Sequence, residues 1–313
     1  MFDTALYAVN FGDFFYENLD CFADFVAKLG FKEIILIHVI DINKLQHSLY
    51  SRYNKEDEEK IKEIAEDRFK EIKKDLEKYG FGIKYKIRVG NIADEIANEA
   101  DKENVDFIVL DKKTADETHR RKFFAFYGSP IYEILMKSNK PILITKRNLK
   151  YSLDLNKNGN EGNFDYKGLF DDVLFATDFS DSSLKAVPFL NNIPPNIIQK
   201  MTLLTALDEK MIDNRNEKDL DAFELKIAEK FENIIQDFNY RFTKEKSNLE
   251  TVIKVIKRGC PCKEINNFIV QTGKKLLVIG FKGRDKEKGQ EIFFGSTAER
   301  IISALPCSIL VVK

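Results

Sequence analysis

At 313 residues the chain is long enough for two domains of ordinary size, each able to bury its own core. With 43% hydrophobic and 32% charged residues the profile is globular, and a formal charge of −1 supplies no basic field to draw the chain to nucleic acid or an anionic membrane. No apolar run approaches the ~20 residues that span a bilayer, and Leu6-Tyr7-Ala8-Val9 is too short for a signal core. Four scattered cysteines make no disulfide framework, so a cytoplasmic protein is expected.

Short, β-branched, nearly uncharged runs at 4–10, 33–40, 83–89, 105–110 and 141–146 predict strands covered on both faces of a parallel sheet. Between the second and third, residues 55–79 carry Ile61, Ile64, Ala65, Phe69, Ile72 and Leu76 on one helical stripe, with Gly80 as the stop. Residues 147–168 are polar, rich in Asn, Gly and Lys and without apolar periodicity, which predicts a linker. Pro188 falls inside the expected first helix of the second half and should kink or shorten it. A second long helix, about 218–242, shows Leu220, Phe223, Ile227, Phe231, Ile234, Ile235 and Phe238.

The two halves repeat. Leu6–Phe11 matches Leu174–Phe179, Ile37–Asp41 matches Leu204–Asp208, and Ile87–Gly90 matches Ile256–Gly259, with Glu95-Ile96 recurring as Glu264-Ile265. Gly128-Ser129 matches Gly295-Ser296, and Ile142–Lys146 matches Ile309–Lys313; every offset lies between 167 and 169. A duplication is the reading. The expected fold is therefore α/β: two doubly wound, five-stranded parallel-sheet domains, 1–146 and 169–313, joined by the linker. Their last strands are expected to pair as an internal pseudo-dimer, with a further homodimer left open.

In an open parallel sheet a ligand sits beyond the carboxyl ends of the strands, where the strand order reverses. In the second copy that crevice should lie between Thr177-Asp178-Phe179-Ser180 and Gly280-Phe281-Lys282-Gly283, with Gly295-Ser296-Thr297 opening the last helix beside it. Glycines there permit positive φ and let backbone amides approach phosphate oxygens, and a helix start adds partial positive charge. Lys282 and Arg284 add cationic charge, and Asp178 offers acceptors to a base or ribose. Each piece also has a plain alternative: Gly-x-x-Gly as a turn, Ser296 and Glu299 as a capping box, Asp178 as a helix cap.

These residues resemble the universal stress protein family in its tandem form, over about 1–146 and 169–313. The resemblance rests on Val173–Ser180, on His38-Val39-Ile40-Asp41, on the turns at Gly90 and Gly259, and on Gly280, two residues, Gly283, eleven residues, Gly295-Ser296. The family pattern has nine residues in place of those eleven, and Thr205-Ala206 stands where His-Val is common. The resemblance implies an adenine nucleotide α-hydrolase-like domain that binds ATP, or ADP or AMP, with Mg2+ accompanying the phosphates. Carried over by position, Asp178 and Ala206 lie near adenine and ribose, with Thr177 beside them. Gly280, Lys282, Gly283, Gly295, Ser296 and Thr297 then hold the phosphates. In the first copy Asn10, Asp111 and Thr114 stand where Asp178, Gly280 and Gly283 do, which predicts a degenerate site.

Cys260-Pro261-Cys262 lacks the Cys-x-x-Cys spacing of zinc or thioredoxin sites and has no His nearby. His38, His47 and His119 have no nucleophile partner at a recognisable elbow, and the first-strand turn lacks the Ser-Gly-Gly-x-Asp type loop of ATP pyrophosphatases. The aromatic run Phe123–Tyr127, echoed by Phe293-Phe294, reads either as a partner patch or as buried packing. An adenine-nucleotide-binding regulatory protein without enzymatic turnover is the leading expectation. A nucleotide-independent scaffold for protein partners is the alternative, and an ATP-using enzyme ranks third for want of a positioned base.

Overall fold

In a computed structural model of the chain, residues 2–11, 16–41, 55–113, 129–147, 166, 168–208, 217–244, 251–282 and 295–313 are described. They divide into two units: one holds the described residues within 1–143 and 147–167, Tyr166 among them, and the other holds those within 144–146 and 168–313.

In the first half of the chain the short apolar runs form β1 (Thr4–Ala8), β2 (Glu33–Asp41), β3 (Gly82–Gly90), β4 (Phe107–Lys113) and β5 (Ile142–Arg147), of which residues 144–146 group with the second unit. Their order is β3-β2-β1-β4-β5, with the β1–β2, β2–β3 and β1–β4 ladders parallel. Strand β3 departs from the expectation of an uncharged strand covered on both faces: it lies at the end of the strand order, carries Lys84, Lys86 and Arg88 on alternate positions, and is largely half-buried. Helices α1 (Tyr16–Lys28), α2 (Lys55–Leu76), α3 (Ile92–Lys102) and α4 (Pro130–Lys137) supply the crossovers. Helix α1 packs with α2 and α3 with α4, as right-handed crossovers require when the chain reverses direction across the sheet.

The second unit repeats this plan with β6 (Asp172–Ala176), β7 (Lys200–Leu207), β8 (Thr251–Arg258), β9 (Leu276–Gly280) and β10 (Ser308–Val312), in the order β10-β9-β6-β7-β8. The β6–β7, β7–β8, β6–β9 and β9–β10 ladders are parallel. Its helices are α5 (Asp181–Leu184), α6 (Ala186–Asn191), α7 (Glu217–Lys244), α8 (Pro261–Thr272) and α9 (Ser296–Ala304). Val173–Ala176, Leu276–Ile279 and Ile309–Val312 are buried throughout, which is why they read as continuous apolar runs.

Most described residues of the helical stripes are buried as their spacing predicts, with Ile61, Phe223 and Ile235 half-buried. Ala65, Phe69, Ile72 and Leu76 of α2 are buried, and Gly80 stops the following 3-10 turn at φ 78° with its amide on the Glu77 carbonyl. Ile64, however, is 58% exposed, because it sits at the margin of the stripe rather than on its centre line. In α7, Ile227, Phe231, Ile234 and Phe238 are buried. Pro188 does shorten its helix: the expected element is two pieces that break at Lys185, and Pro188 occupies the first turn of α6, where an amide has no helical partner to lose.

Duplication shows in contacts as well as in order. Phe11 meets Phe69 edge-on at 5.0 Å with the Arg68 guanidinium 5.4 Å from the Phe11 ring centre. Phe179 meets Phe231 edge-on at 5.1 Å with the Lys230 ammonium 5.3 Å from the Phe179 ring centre. In each unit this cluster fastens the loop after the first strand to the long helix, through apolar contact and a cation–π attraction. The repeated glycines also have a reason. A Cβ on Gly90 would lie 2.8 Å from the Glu95 carboxylate, and Gly259, at φ 134°, sits under the Glu264 side chain in the same way.

Candidate functional site

The strand order of the second unit reverses between β6 and β9, and the loops leaving those strands are joined directly. Lys282 donates its amide to Ser182 Oγ at 3.0 Å, and the Ser180 hydroxyl reaches the Lys282 carbonyl at 3.5 Å. The Gly295 amide donates to the Phe281 carbonyl at 3.2 Å, so the start of α9 stands at the carboxyl end of β9. Three segments far apart in sequence thus meet at the topological switch point.

The turn after β6 is built by its own side chains. Thr177 is buried; its amide donates to the Leu204 carbonyl, and its hydroxyl accepts the Phe179 amide at 2.9 Å and pairs with Ser183 Oγ at 2.9 Å. Phe179 takes the left-handed conformation, φ 61°, which a phenylalanine adopts only when its surroundings hold it there. The Phe231 and Lys230 contacts supply that hold. Asp178 Oδ1 accepts the Ser180 amide at 3.0 Å, and Ser180 in turn caps α5 by accepting the Ser183 amide at 3.3 Å. The cap of α5 is therefore Ser180, and Asp178 belongs to the turn in front of it. Thr177 shapes this turn from within, its hydroxyl engaged on both sides.

Gly280 differs from its sequence reading. Its φ is not in the positive range, and a Cβ placed on it would lie 2.6 Å from Ser183 Cα, 2.7 Å from Ser183 N and 2.9 Å from the Ser182 carbonyl carbon. The space that its missing side chain leaves is filled by the backbone of α5 rather than left open to a ligand. Gly280 lets α5 settle onto β9. Gly283 and the longer 284–294 segment lie outside the described residues, as do Thr114, Gly128, His47, His119 and the aromatic runs at 123–127 and 293–294.

Helix α9 also departs from the capping-box reading. Gly295, not Ser296, is the N-cap, with φ −65° and ψ 127°, and it offers no side-chain cap bond. Ser296 and Thr297 open the first turn, and Glu299 gives its amide to the Gly295 carbonyl at 2.9 Å. Gly295 as N-cap thus offers the first-turn amides of α9 no side-chain acceptor, and a helix start of this kind attracts anions. Ala206, near the end of β7 in register with Lys257, is partly exposed.

Sequence reasoning missed Lys313. Val312 pairs with Gly280, which brings Lys313 beside Phe281; its ammonium lies 4.1 Å from the Phe281 ring centre. Burial, with some repulsion from Lys282, pulls the Lys313 amine down to about 8. A signal was present: a residue one step past the last strand lies next to one just past the penultimate strand whenever the two run parallel in register. Two amines close enough to repel each other therefore stand past the ends of β9 and β10.

The corresponding place in the first unit is built otherwise. Asp111 accepts hydrogen bonds from the Tyr7 hydroxyl and, at 3.3 Å, from the Tyr166 hydroxyl. Tyr166 falls within 147–168, yet it is 1% exposed and lies 5.6 Å, centre to centre, from both Phe22 and Phe25. Helix α4 is capped by Ser129, which accepts the Tyr132 amide at 3.3 Å, and Pro130 removes an amide from its first turn. His38 Nδ1 lies 2.9 Å from the Val9 carbonyl, its ring is 4.7 Å from Phe11, and burial lowers its pKa. A carboxylate and a capped, amide-poor helix start replace the features that the second unit offers to an anion.

The model of the universal stress protein family matches residues 1–146 and 169–313. The chain belongs to the universal stress protein family. Universal stress protein MJ0577 of Methanocaldococcus jannaschii is 32% identical over 130 residues, which cover 37% of this chain and 78% of that protein. A universal stress protein from Archaeoglobus fulgidus superposes over 99% of this chain and 96% of its own, at TM-score 0.63 and 19% identity. A Pseudomonas aeruginosa protein of unknown function covers 100% and 92% at TM-score 0.58 and 12% identity. These two likenesses speak to the fold, which is thus a tandem universal stress protein fold. Among the described residues no helix is long and apolar enough to cross a membrane, and no three His, Cys, Asp or Glu side chains converge to hold a metal ion.

Proposed function

We propose that the second unit binds an adenine nucleotide, ATP foremost, and that the chain is a stress-response regulator that reads nucleotide rather than turning it over. What carries the reading is the start of α9: a helix N-terminus whose N-cap is the glycine Gly295, tied by the Gly295–Phe281 bond to the switch point where Phe281 lies under the Lys313 ammonium and Lys282 follows. Such a constellation offers backbone dipoles and two cations to one polyanion. Gly295, Ser296 and Thr297 would hold phosphate oxygens with Lys282, Lys313 and Gly283, while Asp178 and Ala206 would line the adenosine end. Thr177 and Gly280 act by shape, one forming the turn and the other seating α5. Mg2+, if it accompanies the phosphates, would be held by the nucleotide. The first unit, with Asp111 at the equivalent of Gly280, would bind none.

The test is to identify any nucleotide that co-purifies with the full chain, then titrate ATP into wild type, Gly283→Val and Asp178→Asn. The asparagine keeps an acceptor for the Ser180 amide, so the turn survives while the charge is lost. One nucleotide per chain, lost in both variants with melting behaviour unchanged, is expected. Two equivalent sites would refute the single-site reading. Wild type that neither retains nucleotide nor shifts its melting with millimolar ATP would favour a nucleotide-independent scaffold instead.

A further inference from the structure

We propose that Cys260 and Cys262 form a redox-responsive dithiol, oxidised by hydroperoxides to an intrachain disulfide and restored by thiol reductants. The two sulfur atoms lie 3.3 Å apart, already in contact, on the residues that open α8. Cys260 is the N-cap of this twelve-residue helix, Pro261 follows at its first position, and Cys262 stands in the first turn. On α9, Arg300 directs Nη1 to Cys262 Sγ at 4.0 Å. Both cysteines are partly exposed, so a small oxidant reaches them, in contrast to the buried Cys307.

The setting divides the labour between the sulfurs. Hydrogen bonding from the Cys262 thiol, helped by the amides of Lys263 and Cys262 and by Arg300, lowers the pKa of Cys260 against the cost of its burial. Burial and the neighbouring sulfur raise that of Cys262. Cys260 is thus the nucleophile and Cys262 the resolving thiol. Burial pushes Cys307 up to about 12, which leaves it inert at neutral pH.

The chemistry balances with a hydroperoxide as oxidant. The Cys260 thiolate attacks one peroxide oxygen; an S–O bond forms, the O–O bond breaks, and the departing oxygen takes a proton from solvent and leaves as water or alcohol. Cys260 is then a sulfenic acid. Cys262 attacks that sulfur, the S–S bond forms, the S–O bond breaks, and hydroxide leaves and takes up the proton that Cys262 gives to solvent. Two electrons pass from the sulfur pair to the peroxide. A bridge across a single intervening residue is strained, which places it with the labile, reducible disulfides rather than the structural ones.

The experiment treats the reduced full chain with equimolar hydrogen peroxide, blocks the remaining thiols with iodoacetamide and digests with trypsin, which releases residues 259–263 between Arg258 and Glu264. Expected is an unalkylated peptide that has lost two hydrogens, formed about tenfold faster than any change at Cys21 or Cys307 and reversed by dithiothreitol. Cys262→Ser should stop at a sulfenic acid on Cys260 that dimedone traps, whereas Cys260→Ser should react about tenfold more slowly. Arg300→Gln should slow oxidation without altering the circular dichroism spectrum. Equal oxidation of all four cysteines would overturn the proposal. So would cross-linking between chains, or direct passage of this peptide to sulfinic acid without a disulfide. None of these readouts depends on nucleotide.

Discussion

Gly280→Ala tests the packing at the switch point more sharply than any ligand-facing change. Its new methyl carbon would lie 2.6 Å from Ser183 Cα, about 0.8 Å inside an ordinary 3.4 Å contact, and its nearest neighbours are all backbone atoms. Side chains cannot absorb this by changing rotamer; α5 must lift as a body. Overpacking of this kind costs about 2 kcal/mol. Lifting α5 also breaks the Lys282 amide to Ser182 Oγ bond, adding about 1 kcal/mol. A loss of ~3 kcal/mol should lower the melting temperature of the second unit by roughly 6–12 °C. Differential scanning calorimetry of the full chain without added nucleotide, supported by circular dichroism since the chain has no tryptophan, reads it directly. A variant that melts within about 2 °C of wild type, far below the expected shift, but has lost nucleotide binding would refute the argument, because Gly280 would then serve the ligand rather than α5.

Three further outcomes follow from packing and charge. Tyr166→Phe should cost about 1 kcal/mol through the lost bond to Asp111, and Tyr166→Ala about 3–5 kcal/mol through loss of a buried ring, both read from urea midpoints at constant m. Arg88→Met should cost about 2 kcal/mol, because Glu99, only 3% exposed, would lose the Nε and Nη2 bonds at 2.9 and 2.5 Å and keep only Lys86, at 3.4 Å; adding Glu99→Met should recover part of the loss. Lys313 carries a pH signature. Its folded value, about 8, lies below the ordinary 10.5, so between these values the unfolded chain holds the extra proton. The penalty for burying the charge is complete below pH 8 and is relieved as pH rises to 10.5, so stability without ligand climbs across that window. Bound phosphate favours the ammonium, so ATP affinity measured by calorimetry should be greatest below pH 8 and fall above it. Lys313→Met should remove that slope, and an unchanged slope in the variant would contradict the assignment.

The strands were readable because parallel strands covered on both faces must be short, β-branched and uncharged, and the repeat was readable because such strands tolerate little drift in spacing. Contacts made across the sheet were not. The equivalence of Phe69 and Phe231 cannot be read at the strand offset, because the connection before the long helix differs in length between the halves and throws the helices out of the register shared by the strands. Gly280 was identified as special for a mistaken reason: a glycine after a strand suits a ligand and a neighbouring backbone equally well, and only tertiary structure separates the two. Ser296 and Glu299 satisfy the spacing of a capping box, yet the helix begins one residue earlier than that spacing implies, and no local pattern fixes a cap to one residue. Lys313 reads in sequence as no more than the end of an apolar run, although β-sheet register alone places it beside Phe281.

The burial of Tyr166 bears on how this protein can be cut apart. Its ring covers Phe22 and Phe25 from a point in the chain well past the fifth strand. A fragment that stopped at residue 146 would leave those phenylalanines facing water and Asp111 short of one hydroxyl. An excised N-terminal half that includes Tyr166 keeps its own plug.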